Sequence, residues 1–95
     1  MNVPTEVLRM VEYLFNVKKG LSVEWSWSFY DRDFVFKSVS VDRDIKKKKI
    51  KVGFHVVGES NNWVMVKTEE EVLDKLREIF SNIQEIGGED DSLPN

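Results

Sequence analysis

The chain has 95 residues, 41% of them hydrophobic and 12% aromatic, with a formal net charge of −3 and no cysteine. This is one domain's worth of chain with apolar surface for one core, which excludes a disordered polymer. The lack of cysteine excludes disulfides, thiolate zinc sites and cysteine nucleophiles, and it favours an intracellular, cytoplasmic setting.

The first predicted element is a helix over Pro4–Lys18. Val7, Met10, Val11, Leu14 and Val17 recur at helical spacing, and Gly20 follows as a stop. The segment is charged throughout, so it does not read as a signal peptide, and no stretch is long enough to span a bilayer. Leu21–Tyr30 then switches to period two. Leu21, Val23, Trp25, Trp27 and Phe29 alternate with Ser22, Glu24, Ser26, Ser28 and Tyr30, the pattern of a half-buried strand.

Asp31-Arg32-Asp33 predicts a turn, Phe34–Val41 a second strand, and Asp42-Arg43-Asp44 a second turn of similar chemistry. Ile50–Val57 predicts a third strand and Trp63–Lys67 a short fourth. Thr68 with Glu71 forms a capping box that opens a second helix, whose stripe runs Val72, Leu73, Leu76, Ile79, Phe80, Ile83, Ile86 and stops at Gly87-Gly88. Residues 1–88 therefore read as a single α+β domain of order α-β-β-β-β-α. Short connections make the strands a four-stranded antiparallel meander, with both helices covering its tryptophan face. Residues 89–95 read as a disordered acidic tail.

The search for chemistry ends mostly in structural readings. His55 is the one histidine, and it alternates out of register with Val52, Phe54 and Val56, so it is expected on the sheet surface. Asp31, Asp33, Asp42 and Asp44 have the spacing that begins a calcium loop but lack its glycine and distal glutamate, so turn roles are expected. No phosphate loop, serine elbow or dinucleotide fingerprint occurs. The expectation is a non-enzymatic protein with no cofactor, no catalytic residues and no metal site.

Charge is unevenly spread. Arg32–Lys51 holds eight basic and three acidic residues, whereas Glu69–Asn95 holds nine acidic and two basic. Arg43, Lys46, Lys47, Lys48, Lys49 and Lys51 form a basic hairpin that could grip nucleic-acid phosphates or simply stay solvated and discourage edge pairing. The stripe Trp25, Trp27, Phe29 could stack bases, but serines rather than basic residues interleave it, so core is expected.

The second predicted strand is apolar on both faces. If Phe34 and Phe36 join the tryptophans, Val35, Lys37, Val39 and Val41 face outward. Val57 then extends the patch, with Val64 and Val66 beside it if Trp63 and Met65 point inward. Such a face predicts a protein partner or a homodimer, and the edge of the short fourth strand offers a second route to dimerisation. The reading is a protein–protein interaction module, an inhibitor or adaptor that covers a partner surface. A viral or phage antagonist of a host defence protein would have this size and charge, and nucleic-acid binding through the lysine hairpin is the alternative.

Overall fold

The computed structural model describes residues 2–83. The elements are α1 (Thr5–Asn16), β1 (Ser22–Tyr30), β2 (Phe36–Asp44), β3 (Lys49–Val56), β4 (Asn62–Val66) and α2 (Glu69–Ser81). The strands form one antiparallel sheet in the order β1-β2-β3-β4, so the expected α+β meander is the fold. The predicted stripe position Ile86, the Gly87-Gly88 stop and the tail over 89–95 lie outside the described residues.

Pro4 caps α1 rather than opening it. Its backbone is extended, and its carbonyl accepts from Val7 at 3.0 Å and Leu8 at 3.1 Å. Val7, Val11 and Leu14 form a narrow buried stripe. Met10, expected in that stripe, sits at its exposed margin. The helix ends at Asn16, because Val17 turns extended and its carbonyl is taken by Arg43.

In α2 the capping box forms as its residues require. The Glu71 N–H donates to Thr68 Oγ1 at 3.1 Å, and the Thr68 N–H donates to Glu71 Oε1 at 3.1 Å. Val72, Leu76 and Phe80 are fully buried. The helix stops at Ser81, earlier than the apolar stripe suggests. Both Ser81 Oγ and Asn82 Nδ2 donate to the Glu78 carbonyl, at 2.9 and 3.1 Å, and the Asn82 and Ile83 N–H groups make tightened bonds to Ile79 and Phe80.

The β1–β2 turn decides which side chains become core. Asp31 and Val35 close it through the Asp31 N–H and the Val35 carbonyl, 3.0 Å apart, leaving a three-residue loop of Arg32, Asp33 and Phe34. Asp31 organises that loop. Its Oδ1 accepts from the Asp33 and Val35 N–H groups at 2.8 and 3.0 Å, and its Oδ2 pairs with the Lys37 ammonium at 2.6 Å. The loop's last residue, Phe34, takes the left-handed conformation that such loops need, at φ 61°.

This closure sets Trp25 opposite Val41, Trp27 opposite Val39 and Phe29 opposite Lys37. Opposed residues of a pair share a face. The inner face of β2 therefore carries Lys37, Val39, Val41 and Arg43, and the core gathers Val7, Val11, Leu14, Trp25, Val39, Val41, Ile50, Val52, Val72, Leu76, Phe80 and Ile83. Trp27 and Phe54 pack against this core partly buried, and Phe29 meets the Phe80 ring at 5.8 Å between centroids. The indole N–H groups of Trp25 and Trp27 are shielded and find no acceptor among the described residues.

The outward valine face is thereby overturned. Val39 and Val41 are 0% exposed and lie under the helices. Lys37 shares their face and reaches the buried Asp31 instead of solvent, and the half-buried Val35 is part of the turn. On β4 the condition for extending that patch is not met. Val64 and Val66 oppose the buried Val52 and Ile50, so Trp63 and Met65 are the outer residues. Of the predicted patch only Val57 is on the open side.

Candidate functional site

Both helices sit on the inner face, so among the described residues nothing covers the outer face of the sheet. Its composition follows from the registers, row by row across the strands. The first row, at the β1–β2 turn, is Tyr30, Phe36 and Val57, with the Tyr30 and Phe36 rings edge to face at 5.4 Å and the Val57 N–H bonded to the Phe36 carbonyl at 3.1 Å. The second is Ser28, Ser38 and His55, and the third is Ser26, Ser40, Gly53 and Trp63. The fourth is Glu24, Asp42, Lys51 and Met65, followed by Ser22, Asp44 and Lys49.

The first row forms an exposed apolar cluster. Tyr30 and Val57 are more than half exposed, and Phe34, two residues before Phe36 in the adjoining turn, is 76% exposed. Phe34 combines two unfavourable features: a large apolar side chain in water and a left-handed backbone, which costs an L-residue roughly 1–2 kcal/mol. The Asp31 carboxylate, held by two N–H groups and Lys37, fixes the loop that presents it.

The middle rows form a shallow floor of small residues with Trp63 at its edge. The indole lies flat on Gly53, so a Cβ there would come within 2.7 Å of the ring. The Lys51 ammonium stands 5.0 Å from the Trp63 ring centroid and 3.9 Å from Asp42. Ser38, Ser40, Gly53, His55, Asn61 and Trp63 line an open cleft of about 210 Å³. His55 opposes Ser38 across the β2–β3 pair, as its register predicts, and its Nδ1 is shielded with no hydrogen-bond partner among the described residues. Among the described residues, no group of three or more His, Asp or Glu side chains is placed to hold a metal ion.

The basic hairpin divides into three parts. Arg43 turns inward, half-buried, where its Nη1 donates to the Leu14 and Val17 carbonyls at 2.9 and 2.7 Å and its guanidinium lies 5.2 Å from the Phe15 ring centroid. It therefore caps α1 and leaves the predicted basic surface. Lys49 and Lys51 lie on the outer face opposite Asp44 and Asp42, so their charge is locally balanced. Lys46, Lys47 and Lys48 remain at the exposed tip, where Asp44 Oδ1 accepts from the Lys47 N–H at 2.8 Å and Lys48 turns left-handed at φ 58°.

The Asp31 carboxyl is held below the usual carboxylate range, chiefly by the Lys37 hydrogen bond, with the Val35 and Asp33 N–H groups adding to it and burial opposing. Both of its oxygens are committed, so Asp31 is a turn organiser. The apolar cluster was missed in the sequence because Phe34 and Phe36 read as core. The signal that could have found it is the odd spacing of Val39 and Val41 from Phe36, which cannot share its face within one strand.

No helix among the described residues is long and apolar enough to cross a membrane. No protein-family model matches this chain, and neither do any curated protein or solved structure.

Proposed function

We propose that this chain is a protein-binding module that uses the open face of its sheet, with Tyr30, Phe34, Phe36 and Val57 as the apolar contact. The observation that carries the reading is Phe34, 76% exposed at φ 61°. Strain of this kind persists where the surrounding structure imposes it, and exposed apolar clusters of this kind serve association. Aromatic anchors surrounded by small polar residues suit a contact whose energy is concentrated in a few side chains. An inhibitor or adaptor needs nothing more than such a surface to occlude its target, which is how a viral or phage antagonist would act.

Site-specific photo-crosslinking tests this reading. A photoreactive phenylalanine analogue replaces Phe36 in one protein and Arg9 on α1 in another. The expected result is a discrete protein adduct from position 36, suppressed by excess unlabelled wild type and not by excess Phe34→Ser. Adducts from position 9 alone, or competition by Phe34→Ser equal to wild type, would count against the outer face.

A further inference from the structure

We infer that β4 is a dimerisation edge, pairing antiparallel with β4 of a second copy about a twofold axis at Val64. This inference uses the edge of the sheet and is independent of the reading of its open face.

The backbone phase supplies the first argument. The Val57 N–H donates to the Phe36 carbonyl, so Phe36 and Val57 are a hydrogen-bonded pair. Hydrogen-bonded and non-bonded pairs alternate along an antiparallel ladder. Counting back through the register, Lys49, Lys51, Gly53 and His55 bond to β2, whereas Ile50, Val52 and Phe54 bond to β4. Val66, Val64 and Asn62 therefore commit their N–H and C=O groups to β3. Those of Trp63 and Met65 point out of the sheet, without a partner among the described residues.

Self-pairing uses these groups without remainder. Centred on Val64, the pairing sets Trp63 opposite the second copy's Met65 and the reverse, two hydrogen-bonded pairs and four N–H···O=C bonds. Asn62 falls opposite the second copy's Val66, so the two five-residue strands overlap completely. On the outer face each indole meets a thioether, a favourable contact. On the inner face Val64 meets its own copy in a non-bonded pair, the arrangement that brings side chains closest.

The side chains agree with this occupant. Trp63, Val64 and Met65 are 46%, 36% and 56% exposed on a strand with no charged residue. Edge strands are commonly guarded by lysine, proline or a bulge, and Asn62–Val66 carries none of these residues. The three side chains expose on the order of 300 Å² per copy. That is below the roughly 800 Å² per partner of a standard stable interface, so the dimer is weak and concentration-dependent.

Sedimentation equilibrium up to about 1 mM and disulfide trapping test the inference together. Wild type is expected to dimerise reversibly. Met65→Pro removes an outward N–H and leaves the β3 ladder intact, and is expected to weaken the dimer about tenfold or more. Val64→Cys, in a chain with no other cysteine, is expected to form a covalent dimer under mild oxidant, because its Cα lies about 4.5 Å from its copy. Asn62→Cys is expected to crosslink about tenfold more slowly or worse, its copy lying about 14 Å away along the strand. Wild type monomeric throughout, a dimer unchanged by Met65→Pro, or Asn62→Cys crosslinking as fast as Val64→Cys would each overturn the inference. If Met65→Pro fails to fold, the two cysteine variants still decide.

Discussion

The Arg43 guanidinium on β2 donates to the carbonyl oxygen of Leu14 at 2.9 Å, and the same nitrogen reaches the Val17 carbonyl at 2.7 Å. The end of α1 is thus tied to the sheet by a cation where the helix dipole favours one. Lys18 adds a second, its ammonium 3.0 Å from the Phe15 carbonyl. Arg43→Ala leaves two carbonyls without their donor and is expected to cost about 1.5–3 kcal/mol in urea unfolding. Arg43→Lys should recover only part of this, since an ammonium lacks the planar fork and the reach over Phe15. A loss within about 0.5 kcal/mol for Arg43→Ala would return Arg43 to the solvated surface.

Asp31 gives the fold an acid limb. Its folded carboxyl titrates below its unfolded value, because Lys37 and two N–H groups favour the charged form. The unfolded group binds protons first as pH falls. The stabilisation is therefore complete above the unfolded value of about 3.9 and is lost as pH falls through the lower folded value. Thermal melts between about pH 2 and 6 should show a steeper acid decline for wild type than for Asp31→Asn. Parallel curves would show that the Lys37 pair does not couple to folding.

Much of the fold was legible in the sequence. Trp25 and Trp27 alternate with serines, Thr68 and Glu71 mark the start of α2, and the order of elements follows from these. The parity of β2 was not legible. It depends on a loop of Arg32, Asp33 and Phe34 whose left-handed residue is a phenylalanine where glycine or asparagine is the usual signal. A one-residue change in such a turn moves every side chain of the next strand to the other face. The open face was lost with it, since Phe36 and Val39 exchanged sides. Arg43 was misread for a related reason: a charge next to a lysine run looks solvated until the pairing with β1 places it beneath α1.

The corrected parity makes a direct prediction. Val39→Glu places a carboxylate in a fully buried position and is expected to unfold the domain or cost several kcal/mol. Leu76→Ala, also 0% exposed, should cost about 2–5 kcal/mol. A Val39→Glu protein with wild-type circular dichroism and melting temperature would restore the outward valine face.

The lysine tip makes a contrasting prediction. Lys46→Glu with Lys48→Glu should change stability by no more than about 0.5 kcal/mol, because both side chains are solvated. Single-stranded and duplex oligonucleotides should not bind measurably in about 0.15 M salt. A steeply salt-dependent affinity abolished by the double variant would establish the nucleic-acid alternative through counterion release.

If Phe34 is held strained and exposed for contact with a partner, as we propose, Phe34→Gly separates binding from folding. Glycine takes φ 61° without steric cost. The variant should therefore be more stable than wild type by about 1 kcal/mol, offset in part by the greater entropy of the unfolded glycine chain. It also deletes the side chain that the proposed contact uses. The decisive measurement is the affinity of Phe34→Gly for the protein trapped at position 36, taken alongside its melting temperature. Binding is expected to weaken about tenfold or more in a protein that melts at or above the wild-type temperature. Unchanged affinity in that stable protein would rule out Phe34 as a contact residue.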